Sequence, residues 1–377
     1  MNWNAVRERL PLPDDDGSDG ASEAADDGGN AGNGGNGRGG TRVTRRRALT
    51  ALGTTVGFAG SAKAIDNVFV GYGIVEGTNL VDQDLATVVG QRLQPRNTWT
   101  RVRDNDLVVH DGVAFLEGDG VDESLDLATA TRADAREIDD ELGVELFEPL
   151  VADHETLARM RDTNAAEVDG VRFEFSTYEP FFERVREGNA RPGSVARLRE
   201  NRYTDVDPAT VEAFAEADPR DPKAVVDGLV PAFRGHTSYD IPRYAAGSVE
   251  DNVLLGSVDL RQHFESPTDF AALEDGRNSG MFCYEFVYRS VEALHSVSAY
   301  DQTTPVFGGR VYDERHKHEF TAIGSVLRES DELVIPMTFV DYTHSTLYDD
   351  LMLRGVMGRG LEAYNDRHRA TDIFWNN

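Results

Sequence analysis

Between Phe282 and Val340 the hydrophobic pattern changes from the period of a helix to that of a strand. Apolar side chains at positions 282, 286, 287, 291 and 294 form one stripe at helical spacing, with Arg289 and Glu292 on the other face. After His316 the residues alternate, so that His316, His318, Phe320 and Ala322 share one strand face and Lys317, Glu319 and Thr321 the other. Arg328-Glu329-Ser330-Asp331 reads as a turn, and Leu333 to Val340 as a returning strand. A helix followed by such a hairpin predicts an α+β fold in which the helix packs on an antiparallel sheet. Pro336 has no N–H for a ladder and is expected at a sheet edge or a bulge.

Cys283, the only cysteine in 377 residues, falls in the first turn of the predicted helix, just after a Gly280 turn. Unpaired backbone N–H groups and the positive end of the helix dipole favour a thiolate there, and the same N–H groups can receive an oxyanion. The bland reading of a cysteine on an apolar stripe is a small core residue. Folding the hairpin about Glu329 or Ser330 brings His318 and Asp341 opposite or nearly opposite one another, within reach of a side-chain hydrogen bond. A slip of one residue would turn Asp341 to the other face. Tyr239, Gln262 and His263 are candidates by position for a side chain that completes an oxyanion hole. An alternative chemistry uses His316, His318 and His344 as zinc-type ligands. His110, His154 and His368 receive no role.

A cysteine opening a helix, the strand sequence His318-Glu319-Phe320 and the following Val340-Asp341-Tyr342-Thr343 resemble the transglutaminase-like superfamily of papain-type cysteine enzymes. The separations, 35 residues from Cys283 to His318 and 23 from His318 to Asp341, suit that family. The resemblance implies a transglutaminase/papain-like domain over residues 201–377. It also implies Cys283 as nucleophile, His318 as the base and Asp341 as the group that holds the imidazole tautomer. The implied reaction is acyl transfer through a thioester, with peptide or amide hydrolysis first, a peptide or protein substrate, and no cofactor. A non-catalytic interaction protein on the same scaffold, with Cys283 as packing, is the alternative.

The remainder of the chain is read from composition. Residues 1–44, rich in Asp, Gly, Asn and Ser, are expected to be a disordered acidic leader. Residues 45–64 resemble a twin-arginine export signal, with Arg45-Arg46-Arg47, an uncharged stretch from Thr50 to Ser61 and a small-residue site at Ala62-Lys63-Ala64. That resemblance implies the twin-arginine export machinery as a partner and an extracellular or cell-surface location, with a cytoplasmic protein as the alternative. The uncharged stretch is too short to cross a bilayer, so no integral membrane segment is expected. Residues 65–200 read as a mixed, mostly helical region, with one hairpin about Asp111-Gly112 and helical segments at 150–161, 180–187 and 194–200; a further one at 207–217 lies beyond it. Asp plus Glu number 67 against 38 Lys plus Arg, a net charge of −29, and only three residues are lysine. Nucleic acid and anionic membranes are therefore excluded as general partners. Such self-repulsion is relieved at molar salt, where the Debye length is about 3 Å, and the acid-rich, lysine-poor balance resembles that of a secreted haloarchaeal protein.

Overall fold

The computed structural model describes residues 80–118, 120–199, 206–252, 259–263, 265–275, 279–314, 317–343 and 368–375. The leader and the export signal expected at 1–64 lie outside these, as do His316 and His344. All described residues belong to one compact unit, Arg45–Asn377.

In chain order the elements are α1 (Leu85–Gly90), the strands β1 (Thr98–Val102), β2 (Asn105–His110), β3 (Val113–Gly118) and β4 (Val121–Asp126), then α2 (Arg132–Leu142) and α3 (Phe147–Asp162). Next come β5 (Val171–Phe175), α4 (Tyr178–Glu187), α5 (Pro192–Leu198), α6 (Pro208–Ala215), α7 (Pro222–His236), β6 (Thr237–Tyr239), α8 (Ile241–Asn252) and α9 (Phe270–Glu274). The C-terminal part holds β7 (Ser279–Met281), α10 (Cys283–His295), β8 (Phe307–Asp313), β9 (His318–Gly324), β10 (Leu327–Glu329), β11 (Glu332–Val340) and β12 (Asp372–Phe374). The fold is α+β. Among the described residues no helix is long and apolar enough to cross a membrane.

Local chemistry accounts for most boundaries. Asp111 and Gly112 both take positive φ, 47° and 86°, which a two-residue hairpin requires, and they join β2 to β3 in the β1–β4 meander. Helices α6 and α7 each open on Asp-Pro, with the Asp207 and Asp221 carboxylates accepting the first free N–H groups. Helix α3 has no cap of its own; the buried Asp139 of α2 accepts the N–H groups of Leu146, Phe147 and Glu148 at 3.1, 2.9 and 2.9 Å.

The main sheet runs β10-β11-β9-β8-β12, and β5 pairs in parallel with the free side of β11. Strand β5 comes from the region before residue 200 and β11 from the region after it, so one sheet draws on both. Burying β11 on both faces explains why its sequence is a near-continuous apolar run. Leu333, Ile335, Met337 and Phe339 enter one core with Leu157, Val195 and Trp375. Val334 and Val340 enter the other with Phe181, Phe233 and Phe286.

Two expectations about this hairpin are corrected. Its turn is Ser330-Asp331, with Glu329 opposite Glu332 and Val340 opposite Thr321, so the register is displaced by two residues from a fold that pairs 318 with 341. A displacement of two preserves the face, and Asp341 therefore lies diagonal to His318. Pro336 is not at an edge, because β5 covers that side. Its carbonyl accepts from Ser325 N–H at 3.1 Å, but it has no N–H to return, and the ladder breaks there between β9 and β10.

Candidate active site

Helix α10 lies against β8 and β9, and Gly308 of β8 is what lets it approach. A Cβ at Gly308 would sit 3.1 Å from a methyl of Val291. At the other end of the helix, β6 and β7 form a short parallel pair that places Tyr239 opposite Met281, two residues before Cys283. A Cβ at Gly280 would fall 2.5 Å from the Asp240 carboxylate, so any larger residue there would have to displace that side chain. The Phe282 N–H donates to Glu285 Oε2 at 2.6 Å, and Glu285 is held by Arg243 at 3.0 Å. The same guanidinium lies 4.4 Å from the centre of the Phe282 ring and donates to the Tyr284 hydroxyl at 2.8 Å. The start of α10 is thus fixed by a buried ion pair and a cation–π contact rather than by a Ser or Asp cap.

Cys283 is the first residue of α10 and is 8 % exposed, against 1 % for His318 and 2 % for Asp341. Cys283 is therefore the least buried residue of the three. His318 opens β9, and its Nε2 lies 2.6 Å from Asp341 Oδ2. The Cys283 side chain hydrogen-bonds the same imidazole. Asp341 is itself held, because its Oδ1 accepts the Thr343 N–H at 2.9 Å. Burial opposes charge on His318, but the Asp341 carboxylate, with a smaller contribution from Cys283, outweighs it and raises the imidazole pKa well above its ordinary value.

Of the three side chains considered for an oxyanion hole, only Tyr239 lies beside the thiol. Burial first, then Cys283, Tyr244, Asp341 and Asp240, push its pKa well above the usual range, so the hydroxyl keeps its proton. Gln262 and His263 lie in an exposed 3-10 turn, Arg261–His263, where the Gln262 amide donates to the Asp259 carbonyl at 2.7 Å.

Two residues missed from the sequence complete the surroundings. His368 packs its ring on that of His318, with centroids 4.9 Å apart, and its Nδ1 donates to Asp313 Oδ2 at 3.2 Å. Asp313 is the cross-strand neighbour of His318. Burial brings the His368 pKa down to about 4 despite the Asp313 hydrogen bond, so the ring is neutral near pH 7. Position 368 is 50 residues beyond His318, outside any periodic segment, and no sequence signal points to it. His318, Asp341 and His368 are all buried and offer ligand atoms within 4.8 Å of one another, whereas His316 and His344 of the expected zinc set lie outside the described residues.

No protein-family model, no curated protein and no solved structure matches the chain.

Proposed function

We propose that the chain is a cysteine-dependent acyl-transfer enzyme of the transglutaminase-like, papain-type kind, hydrolysing a peptide or amide bond in a peptide or protein substrate. One observation carries the reading: the His318 imidazole is held between the Cys283 side chain and the Asp341 carboxylate, the latter at 2.6 Å. Asp341 occupies Nε2, which leaves Nδ1 as the ring nitrogen that exchanges a proton with the thiol.

In this reading Cys283 Sγ attacks the substrate carbonyl carbon, and His318 carries the thiol proton to the leaving amine as the C–N bond breaks. Water then attacks the thioester, gives a proton to His318 and releases the acid, and that proton returns to the sulphur. The Cys283 N–H, at the first turn of α10, and the Tyr239 hydroxyl are the donors for the oxyanion. With the twin-arginine-like segment at 45–64 and the net charge of −29, the proposal extends to an exported enzyme working in concentrated salt.

Cys283→Ala is expected to abolish release of new termini from a peptide library digested by the full chain, and an intact-mass adduct on the wild type should map to Cys283. Undiminished cleavage by the variant would end the proposal.

The trio His318, Asp341 and His368 supports a second reading, a zinc-type site. Two ligands of a tetrahedral zinc stand about 3.3 Å apart for metal–ligand bonds near 2.0–2.1 Å. The 2.6 Å between Nε2 and Oδ2 is closer, and suits a shared proton better. Loss of activity or of melting temperature on chelation would favour the metal.

A further inference from the structure

Arg197, on α5, is 5 % exposed, yet its Nε and Nη1 meet no acceptor, and no ion pair is formed by this side chain among the described residues. A buried guanidinium left in this state is costly, since charged groups below the surface are ordinarily paired. Close by on α3, His154 is also buried, and its Nδ1 has no partner. Arg197 and Arg161 both act electrostatically on His154, and Arg161 acts on Arg197, so two cations converge on one imidazole.

The surroundings close a ring around this spot. The Arg197 carbonyl accepts the Arg96 N–H at 2.8 Å; the neighbouring Asn97 side chain accepts the Asp111 N–H at 3.0 Å. The adjoining Gly112 lies against the His154 ring, so that a Cβ there would be 3.4 Å from Cε1. Helix α3 then returns to α5 through Asp153, which accepts from Ser194 at 2.7 Å. The acids nearby answer this charge only in part: Asp153 acts electrostatically on Arg197 and Asp126 on His154, but neither forms an ion pair with them among the described residues. Asp153 is already shared by Arg191 and Arg328, at 2.9 and 3.1 Å, and Asp126 Oδ1 accepts the N–H groups of Ala128 and Thr129. A chain of net charge −29 has thus gathered Arg191, Arg197 and Arg328 around the buried Asp153, with Arg161 and Asp126 exposed beside them.

We infer that Arg197, His154 and Arg161 form a site for a small monovalent inorganic anion of the halide class, seated where α3, α5 and the β2–β3 turn meet. A monatomic anion accepts hydrogen bonds from any direction, so the Arg197 Nε and Nη1 edge and a His154 Nδ1–H can all point to it. It supplies one negative charge to a locally positive region without requiring further donors. The anion would couple α3 to α5 and to the meander, independently of the chemistry proposed at Cys283.

The test is thermal and chemical unfolding of the full chain at constant molar ionic strength while sodium gluconate is exchanged for sodium chloride or bromide. A single halide site adds about 1.4 kcal/mol of stability for each tenfold rise in halide above its Kd, the value of one tenfold step in binding. Arg197→Met is expected to flatten that dependence while leaving the general response to ionic strength in place. Should that variant fail to fold, the wild type still decides the matter: a bromide-soaked crystal is expected to show an anomalous peak between Arg197 Nε and His154 Nδ1. Equal stability in gluconate and halide, a bromide map with no peak at Arg197, or a gain specific to phosphate would each overturn the assignment.

Discussion

Asp341→Asn changes one atom of the candidate site and should change its chemistry in two ways. The Thr343 N–H donates to Oδ1 at 2.9 Å and will keep an oxygen in that place, so the new amide nitrogen must face His318. That amide donates to Nε2 where the carboxylate had accepted, and the neutral ring then carries its proton on Nδ1, the wrong tautomer for taking one from Cys283. The imidazolium also loses its counter-charge. Charge centres about 4 Å apart at an effective dielectric of 20 interact by about 4 kcal/mol, and a charged hydrogen bond is worth about 1.5–3 kcal/mol net, so a loss of about 2–4 kcal/mol is expected. At about 1.4 kcal/mol per decade this is roughly a thirty- to thousandfold fall in the reactive proton-transferred pair. Because Cys283 is the sole cysteine, intact-mass alkylation by iodoacetamide reads the thiol directly at each pH. The variant should alkylate more slowly near pH 6, with its profile displaced to higher pH. The stability difference has a defined sign. His318 is raised above its unfolded value of about 6.5, so its stabilisation is complete below that pH and disappears as pH rises through the folded value. The variant's deficit should therefore be greatest between about pH 5 and 6.5 and shrink towards alkaline pH. Superimposable alkylation profiles for wild type and variant would refute the coupling of Asp341 to the thiol through His318.

Tyr239→Phe should lower turnover by about 10²–10³ if its hydroxyl meets the oxyanion, while iodoacetamide labelling of Cys283, which forms no oxyanion, stays unchanged. Asp153→Ala leaves the guanidiniums of the buried Arg191 and the half-buried Arg328 without their shared acid and should cost about 3–5 kcal/mol in urea unfolding. His368 has a folded pKa of about 4 against about 6.5 unfolded, so the unfolded state binds more protons between those values and stability falls as pH drops through them. The full effect is about 3 kcal/mol, and His368→Phe should remove that acid-side loss when unfolding at pH 7 and pH 4.5 is compared.

What could be read from residue order was set by local period. The α10 stripe, the β9 strand and the Asp111-Gly112 hairpin depend on neighbours in sequence, and each element is present, although β9 is buried on both faces from Phe320 to Gly324. The hydrogen bond between His318 and Asp341 survived an error of two in the register because side chains in a strand repeat every two residues. Partners distant in the chain were not legible. Strand β5 is only five residues, Val171–Phe175, and its place beside β11 follows from a parallel pairing across about 160 positions, which no local pattern encodes. Pro336 misled for the same reason: the broken ladder faces Ser325, and β5 covers the other side. Tyr239 was one of three positional candidates, and only the β6–β7 pairing separates it from Gln262 and His263.

His368 follows Cys283, His318 and Asp341 along the polypeptide, and the β12 strand that comes after it pairs with β8. A ribosome releases these residues in that order, so a growing chain holds its thiol and its acid before it holds the ring that shields His318 from behind. The packing of His368 on His318 is therefore among the last contacts of the site that synthesis can complete.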